Sequence, residues 1–294
     1  MISGILNIKK EPGFTSHDVV AKLRGIVHQK KIGHTGTLDP DATGVLPVCL
    51  GKATKLCDII GDWDKTYEAV LLLGRETDTE DTSGQTLKER EVAVTEEEIR
   101  DIILSFQGSY DQIPPMYSAK KVNGKKLYEL AREGKTVERK PRPVHFYEIE
   151  ILDISFPLVR FRVTCSKGTY IRTLCHDIGE KLGCGAAMES LLRTKVGRFT
   201  LDDAITLAQT EEAVKKGTIE SKILGIEEIL AEYPRVCCTK EGDRLLANGN
   251  PLVQALVDAQ EKNGWIRMCS SEGSFAGVYQ WDEKRNRYFP VKMF

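Results

Sequence analysis

An α+β fold is the class with which this sequence is compatible, on three observations. Apolar residues recur at helical spacing in FTSHDVVAKLRGIVHQKK and GTYIRTLCHDIGEKLG. The runs VHFYEIEILDISF and LVRFRVTCS alternate apolar and polar residues, as two antiparallel strands with one solvated face would. The last segment, after about residue 233, carries short strand patterns (WIRMCS, SFAGVYQW, RYFPVKM) between turn residues, as in a small β-rich module. With 294 residues and 41% apolar content, the chain has room for one large domain and a smaller one.

Taken in order, the first helix has Ser16 or Thr15 as its N-cap, an apolar face of Val19, Val20, Leu23, Ile26 and Val27, and a basic end at Lys30 and Lys31. The loop GHTGTLDPDATG (33–44) follows, and then TGVLPVCLGKATKLCDIIGD, read as a buried strand or turn and a helix from about Ala53. KTYEAVLLLG predicts a strand carrying Tyr67. Residues 62–101 hold thirteen acidic and five basic side chains, a solvated outer face, with a helix from a Thr95/Glu98 capping box to Phe106. Residues 119–143 invert that balance, nine basic against three acidic, and predict a mobile basic excursion. After the strand pair, the helix of GTYIRTLCHDIGEKLG takes Thr169 as N-cap, stops at Gly183, and places Arg172 in its first turn. TIESKILGIEEILAEY reads as a further helix, and a boundary falls near Tyr233-Pro234.

The formal charge of −1 conceals these local imbalances and neither favours nor excludes a polyanionic partner. Eight cysteines without a C-x-x-C pair, and no secretory h-region, point to reduced core thiols and a cytoplasmic protein. AVLLLG (69–74) is far too short to span a bilayer. Five scattered histidines without ligand spacing argue against a metal site, and GTLDPDATG is neither a Walker A loop nor a dinucleotide fingerprint.

Asp39 is the residue that stands out. Pro40 biases it towards an extended geometry on a loop whose glycines admit close backbone approach. On the residues alone it is an Asx-turn or cap aspartate or a group with chemistry, Asp41 being an equal candidate for the turn. His34 reads as a loop histidine bonded to a neighbouring carbonyl. Tyr67 reads as a half-buried aromatic or a stacking platform. Arg172 gains nothing from the positive end of its helix dipole, so it wants an anion. Lysines and arginines interleaved with Tyr117 and Tyr128 suit phosphate contact and stacking on unpaired bases.

GHTGTLDPDATGVLPVCLGKATK resembles the catalytic motif of the TruB family of pseudouridine synthases. SHDVV, KTYEAVLLLGRETDTEDTSG, IPPMYSAKKVNGKKLYELAREG, VTCSKGTYIRTLCHDIGEKLG and LLRTKVGRF resemble that family in the same order, from about residue 4 to about residue 230. The tail PRVCCTKEGDRLLANGNPL is similar, less closely, to the opening of a PUA-type RNA-binding module.

The resemblance implies a pseudouridine synthase fold, with a mixed, mostly antiparallel central sheet flanked by helices. It implies a catalytic domain over 1–232 with a basic RNA-binding insertion at about 119–143, and a PUA-like domain over 233–294. The implied activity is isomerisation of the T-loop uridine at tRNA position 55, by base flipping, with no metal or cofactor. Residue by residue, the catalytic aspartate falls on Asp39, its arginine partner on Arg172 and the active-site tyrosine on Tyr67. The base-flipping histidine falls on His34 and the pocket leucine on Leu191, while Tyr170, Lys10, Lys125 and Lys126 are further implied substrate contacts.

The family commonly shows Lys-Pro-x-Gly at the first motif, where this chain has Lys10-Glu11-Pro12-Gly13, so Pro12 is displaced. Arg172 is expected to hold Asp39 ionised, because a nearby guanidinium lowers a carboxylate pKa. The expected partner is the tRNA T-stem-loop, with no membrane and no obligate protein partner, the chain acting as a monomer. A synthase with another RNA target and a non-catalytic RNA-binding or RNA-folding protein are the alternatives.

Overall fold

Strands and helices follow the chain's apolar pattern closely enough to be traced from it. The computed structural model describes residues 1–294 except 119, 123, 259 and 260; Ala119, where the basic stretch begins, therefore lies outside the described residues. In chain order, β1 is Gly4–Lys10, α1 Ser16–Ile26, β2 Ile32–His34, β3 Thr43–Leu50 and β4 Lys65–Leu73. Then come α2 (Glu96–Leu104), β5 (Gly108–Gln112), β6 (Arg142–Ser155), β7 (Leu158–Cys165), α3 (Ile171–Leu182) and β8 (Ala186–Val196).

These strands belong to one ten-stranded sheet in the order β1-β3-β8-β4-β7-β6-β5, with Ile223–Leu224 outside β1 and β2 and Phe199–Thr200 paired at the side. Every pairing is antiparallel except β8 with β3, which runs parallel. The sheet is thus mixed and mostly antiparallel. β3 lies in its interior and is buried on both faces, which is why its sequence is a continuous apolar run without alternation. β4 alternates strictly: Lys65, Tyr67, Ala69, Leu71 and Leu73 face inward. That face packs with α2 and α3 in a cluster that includes Ile99, Ile103, Ile171, Leu174 and Ile178. Each such fully buried aliphatic side chain contributes about 1.5–3 kcal/mol.

Both α1 and α2 begin with reciprocal capping boxes, Thr15 with Asp18 and Thr95 with Glu98. Three expectations need correction. The Thr169 hydroxyl donates back to the Ser166 carbonyl, and the Tyr170 amide donates to Gln112, so α3 is capped by Tyr170 and not by Thr169. Residues 218–233 do not form one helix, because Ile223 and Leu224 pair with Leu6 and Ile5 at the sheet edge, which leaves a 3-10 turn at Ile219–Lys222 and a single α-helical turn at Ile226–Ile229. From Gly51 to Leu56 the chain is 3-10, and only Cys57–Gly61 is α-helical.

The C-terminal segment builds a separate five-stranded sheet from Arg235–Cys237, Leu252–Val253, Trp265–Cys269, Phe275–Asp282 and Arg287–Met293. Its Val278 and Phe275 pack with Ile5 and Val45 of the first sheet and with Ile229 of the short helix Ile226–Ile229. Among the described residues, no helix is long and apolar enough to cross a membrane. All eight cysteines are free. Within the basic stretch, Lys121–Val122 and Lys125–Lys126 form a hairpin followed by a helix over Leu127–Arg132.

Candidate active site

The loop between β2 and β3 carries Asp39, and buried side chains hold it from several directions. Ser16, at the start of α1, accepts from the Leu38 amide at 2.9 Å. Lys10, 1% exposed at the end of β1, donates to the carbonyls of Pro40 (2.8 Å), Ala42 (2.5 Å) and Glu11 (3.2 Å). Burial lowers the Lys10 pKa to about 8, against the opposing charges of Asp41 and Asp39. Arg193 of β8, also 1% exposed, donates from Nε to the Val45 carbonyl at 2.7 Å and from Nη2 to the Gly36 carbonyl at 3.3 Å. Gly44 closes the loop at φ +106°, where an added Cβ would stand 2.1 Å from the Arg193 carbonyl oxygen. Only glycine fits there.

Asp39 projects from this loop onto Arg172. Arg172 Nε lies 2.9 Å from Oδ2, and Nη2 donates to Oδ1 at 3.3 Å, a bidentate pairing between segments far apart in sequence. The same guanidinium donates to the carbonyls of Thr79 and Tyr117, at 2.8 and 2.9 Å, and meets Asp81 at 3.4 Å. Its side chain is 7% exposed whereas that of Asp39 is 39% exposed, so the carboxylate is the accessible member of the pair.

The electrostatic expectation for Asp39 is corrected in direction. Burial raises its pKa above the ordinary carboxylate value and Asp81 adds to the rise, while Arg172 and Lys10 oppose it without reversing it. Desolvation is the largest influence, and the nearby Asp81 carboxylate, which the same guanidinium also meets, adds to it.

Leu38 and Ala42, which flank Asp39, share one apolar cluster with Tyr67 and Leu191. Asp39 thus pairs with Arg172 and lies close enough to Tyr67 to act on its hydroxyl, while Leu191 shares the apolar cluster of its flanking residues. Burial raises the pKa of the Tyr67 hydroxyl, with Arg193 opposing, so the resting group is a neutral phenol. His34, at the loop entrance, packs edge-on to His17 with ring centroids 5.0 Å apart, and its Nδ1 has no hydrogen-bond partner among the described residues. Burial, reinforced by His17 and Arg193, lowers its pKa to about 4, which keeps the ring neutral. Tyr170 exchanges two backbone hydrogen bonds with the buried Gln112 side chain. Lys125 and Lys126 contact Glu133 and Tyr128 within the basic stretch and make no contact with Asp39, Tyr67 or Arg172.

Asp41 is exposed and is not among the partners of Arg172. Reading the sequence missed Asp81, Arg193 and Gln112. Asp81 also corrects the view of residues 62–101 as an outer face, since it turns inward to Arg172 and accepts from Thr79 and Ser83. Among the described residues, no group of three or more histidine, cysteine, aspartate or glutamate side chains is placed to hold a metal ion.

Against known proteins, residues 24–171 match the model of the TruB family pseudouridylate synthase N-terminal domain, and residues 172–231 that of the tRNA pseudouridylate synthase B C-terminal domain. The chain is 54% identical to the tRNA pseudouridine synthase B of Lachnoclostridium phytofermentans, with the whole of both chains covered. It is 45% identical to that of Clostridium acetobutylicum, over 96% of this chain and 97% of the other. Among solved structures, its backbone is similar to one described as a Cbf5-Nop10-Gar1 complex, with a TM-score of 0.73 and 28% identity over 99% of this chain and 84% of that one. A second likeness, with a TM-score of 0.72 and 26% identity over 99% of this chain and 84% of that one, is to an H/ACA RNP bound to a substrate RNA containing 2'-deoxyuridine.

Proposed function

The chain belongs to the TruB family of pseudouridylate synthases, and from that premise we propose that it isomerises the T-loop uridine at tRNA position 55, with Asp39 carrying the chemistry. It is an isomerase that makes pseudouridine in tRNA. The reaction breaks the N1–C1′ bond, turns the base and joins C5 to C1′; the C5 proton leaves and N1 gains one, so no atom or electron is gained overall.

The observation that supports the reading is the accessible Asp39 carboxylate held in a bidentate grip by a buried guanidinium. Two routes suit such a group, addition to C6 of the base and assistance at the sugar, and both need it ionised. The target uridine is stacked in a folded T-loop and must be extruded, at a cost of a few kcal/mol. Tyr67 would stack on the freed base, Leu191 would line its pocket, and neutral His34 would fill the space it leaves. As a neutral phenol, Tyr67 would also take part in the late proton transfer on this reading.

The basic stretch, with Lys125 and Lys126, would close over the RNA backbone, and the module over 233–294 would extend that contact. Action as a single chain, without an obligate protein partner, belongs to the same proposal. The test is incubation of the purified chain alone with unmodified tRNA, followed by assay for pseudouridine in the T-loop. Wild type is expected to convert position 55. Asp39→Asn should bind tRNA but leave uridine intact, while Asp41→Ala should keep most of the activity. Turnover by Asp39→Asn above a few per cent would remove Asp39 from the centre of the mechanism.

A further inference from the structure

A buried guanidinium beneath the Asp39 loop has no part in the chemistry above. Arg193 is among the largest fully buried side chains of the molecule and forms no ion pair with any carboxylate among the described residues. Burying a charge without a carboxylate partner is costly, and here the backbone carbonyls of Val45 and Gly36, together with the Tyr67 hydroxyl, compensate it. Its acceptors are not sequence neighbours of one another: Gly36 precedes Asp39 and Val45 follows it, so a single planar group spans the entrance and exit of the loop.

The backbone of the same residue completes the arrangement. Arg193 pairs in parallel with Gly44, the glycine whose missing side chain lets the loop exit rest on the Arg193 carbonyl. On the other side of β8 its cross-strand neighbour on β4 is Tyr67. One residue thus touches both ends of the Asp39 loop and the strand position of the tyrosine.

Building on the reading of the site as a pseudouridine synthase centre, we propose that Arg193 is a positioning residue, whose guanidinium fixes the Asp39 loop against β8 and Tyr67 without touching the substrate. A planar fork matches two carbonyls on separate segments, and a lysine, a point donor on a flexible stem, does not. The guanidinium also opposes burial in setting the acidity of the Tyr67 hydroxyl, in keeping with this placement. Lys10 serves the loop's middle through Pro40 and Ala42, so the two cations divide the task and do not duplicate it.

The test compares full-length wild type, Arg193→Lys and Arg193→Gln by single-turnover conversion of tRNA, tRNA affinity, thermal unfolding and amide hydrogen exchange. A loop displaced by about 1 Å should slow single turnover by about 100-fold in the folded variants, with affinity changed less than about threefold. Amides of residues 36–45 should exchange faster while the rest of the sheet keeps its protection. Wild-type rates in either folded variant, affinity falling in step with rate, or unchanged exchange over 36–45 would each overturn the inference. So would failure of both variants to fold, since Arg193 would then be a pillar of stability only. If wild type itself makes no pseudouridine, the functional reading fails first and this inference falls with it.

Discussion

Asp81 Oδ2 stands 3.4 Å from Nη1 of Arg172, so the guanidinium that grips Asp39 along one edge meets a second carboxylate at its far end. Asp81 is itself held by the hydroxyls of Thr79 and Ser83, and Thr79 supplies a carbonyl to the same arginine. The short segment 79–81 therefore sets the angle at which Arg172 faces Asp39.

Asp81→Asn keeps the side-chain shape and removes the charge. Reorientation of Arg172 should lower the single-turnover rate on tRNA by about tenfold to 100-fold, with affinity little changed. The charge of Asp81 raises the Asp39 pKa, so the acid limb of the rate profile should also move to lower pH. A limb displaced to higher pH would show that Asp81 does not act on Asp39 through charge.

Arg172→Met tests the opposite sign. Arg172 lowers the Asp39 pKa against the larger effect of burial, and removing it lets that effect act unopposed. The residual rate, measured across pH, should show its acid limb at higher pH than wild type. Arg172→Lys retains a cation with one point of contact and should fall between the two. An unmoved limb in Arg172→Met would separate the measured ionisation from Asp39.

Asp39, Tyr67, Arg172, His34 and Leu191 were legible because each lies in a stretch whose resemblance to a family carries residue identities. The helix of Ile171–Leu182 and the strand of Lys65–Leu73 were legible from periodicity alone. Asp81 was not: it shares a resembling stretch with Tyr67, but the resemblance carried no role onto it, and a segment of residues 62–101 with thirteen acidic side chains says nothing by composition of which one turns inward. Arg193 and Gln112 were hidden for a related reason. Buried polar side chains that bond to backbone carbonyls and amides follow no spacing rule, and their partners come from distant segments. The Ile223–Leu224 strand was hidden because tertiary pairing with β1 overrode a helical pattern.

His34 gives a prediction for stability. Its folded pKa, lowered to about 4 by burial first and by His17 and Arg193 next, lies below the ordinary histidine value of 6.5. Between those values the unfolded chain takes up a proton that the folded chain refuses, so His34 costs stability progressively as pH falls through that window. His34→Gln removes the titration. Its unfolding midpoint should drop less between about pH 6.5 and pH 4, the span of that window, than the wild-type midpoint does. Equal drops in both proteins would mean that His34 titrates alike in the folded and unfolded states.

Lys125 and Lys126 test the basic stretch. Lys125 is 3.5 Å from Glu133, and Lys126 donates to the Tyr128 hydroxyl at 3.1 Å, so on the proposed reading both would exchange a local partner for phosphate when RNA binds. Exposed pairs of this kind are weak and should not compete strongly with a polyanion. Each phosphate neutralised releases counterions and adds about 0.7 to 0.9 to the slope of log affinity against log salt. Lys125→Gln with Lys126→Gln should therefore weaken tRNA binding at low salt and flatten that slope by about one to two. Single-turnover rate at saturating enzyme should stay close to wild type, because neither lysine contacts Asp39, Tyr67 or Arg172. An unchanged slope would place these lysines on a solvated face that the RNA never meets.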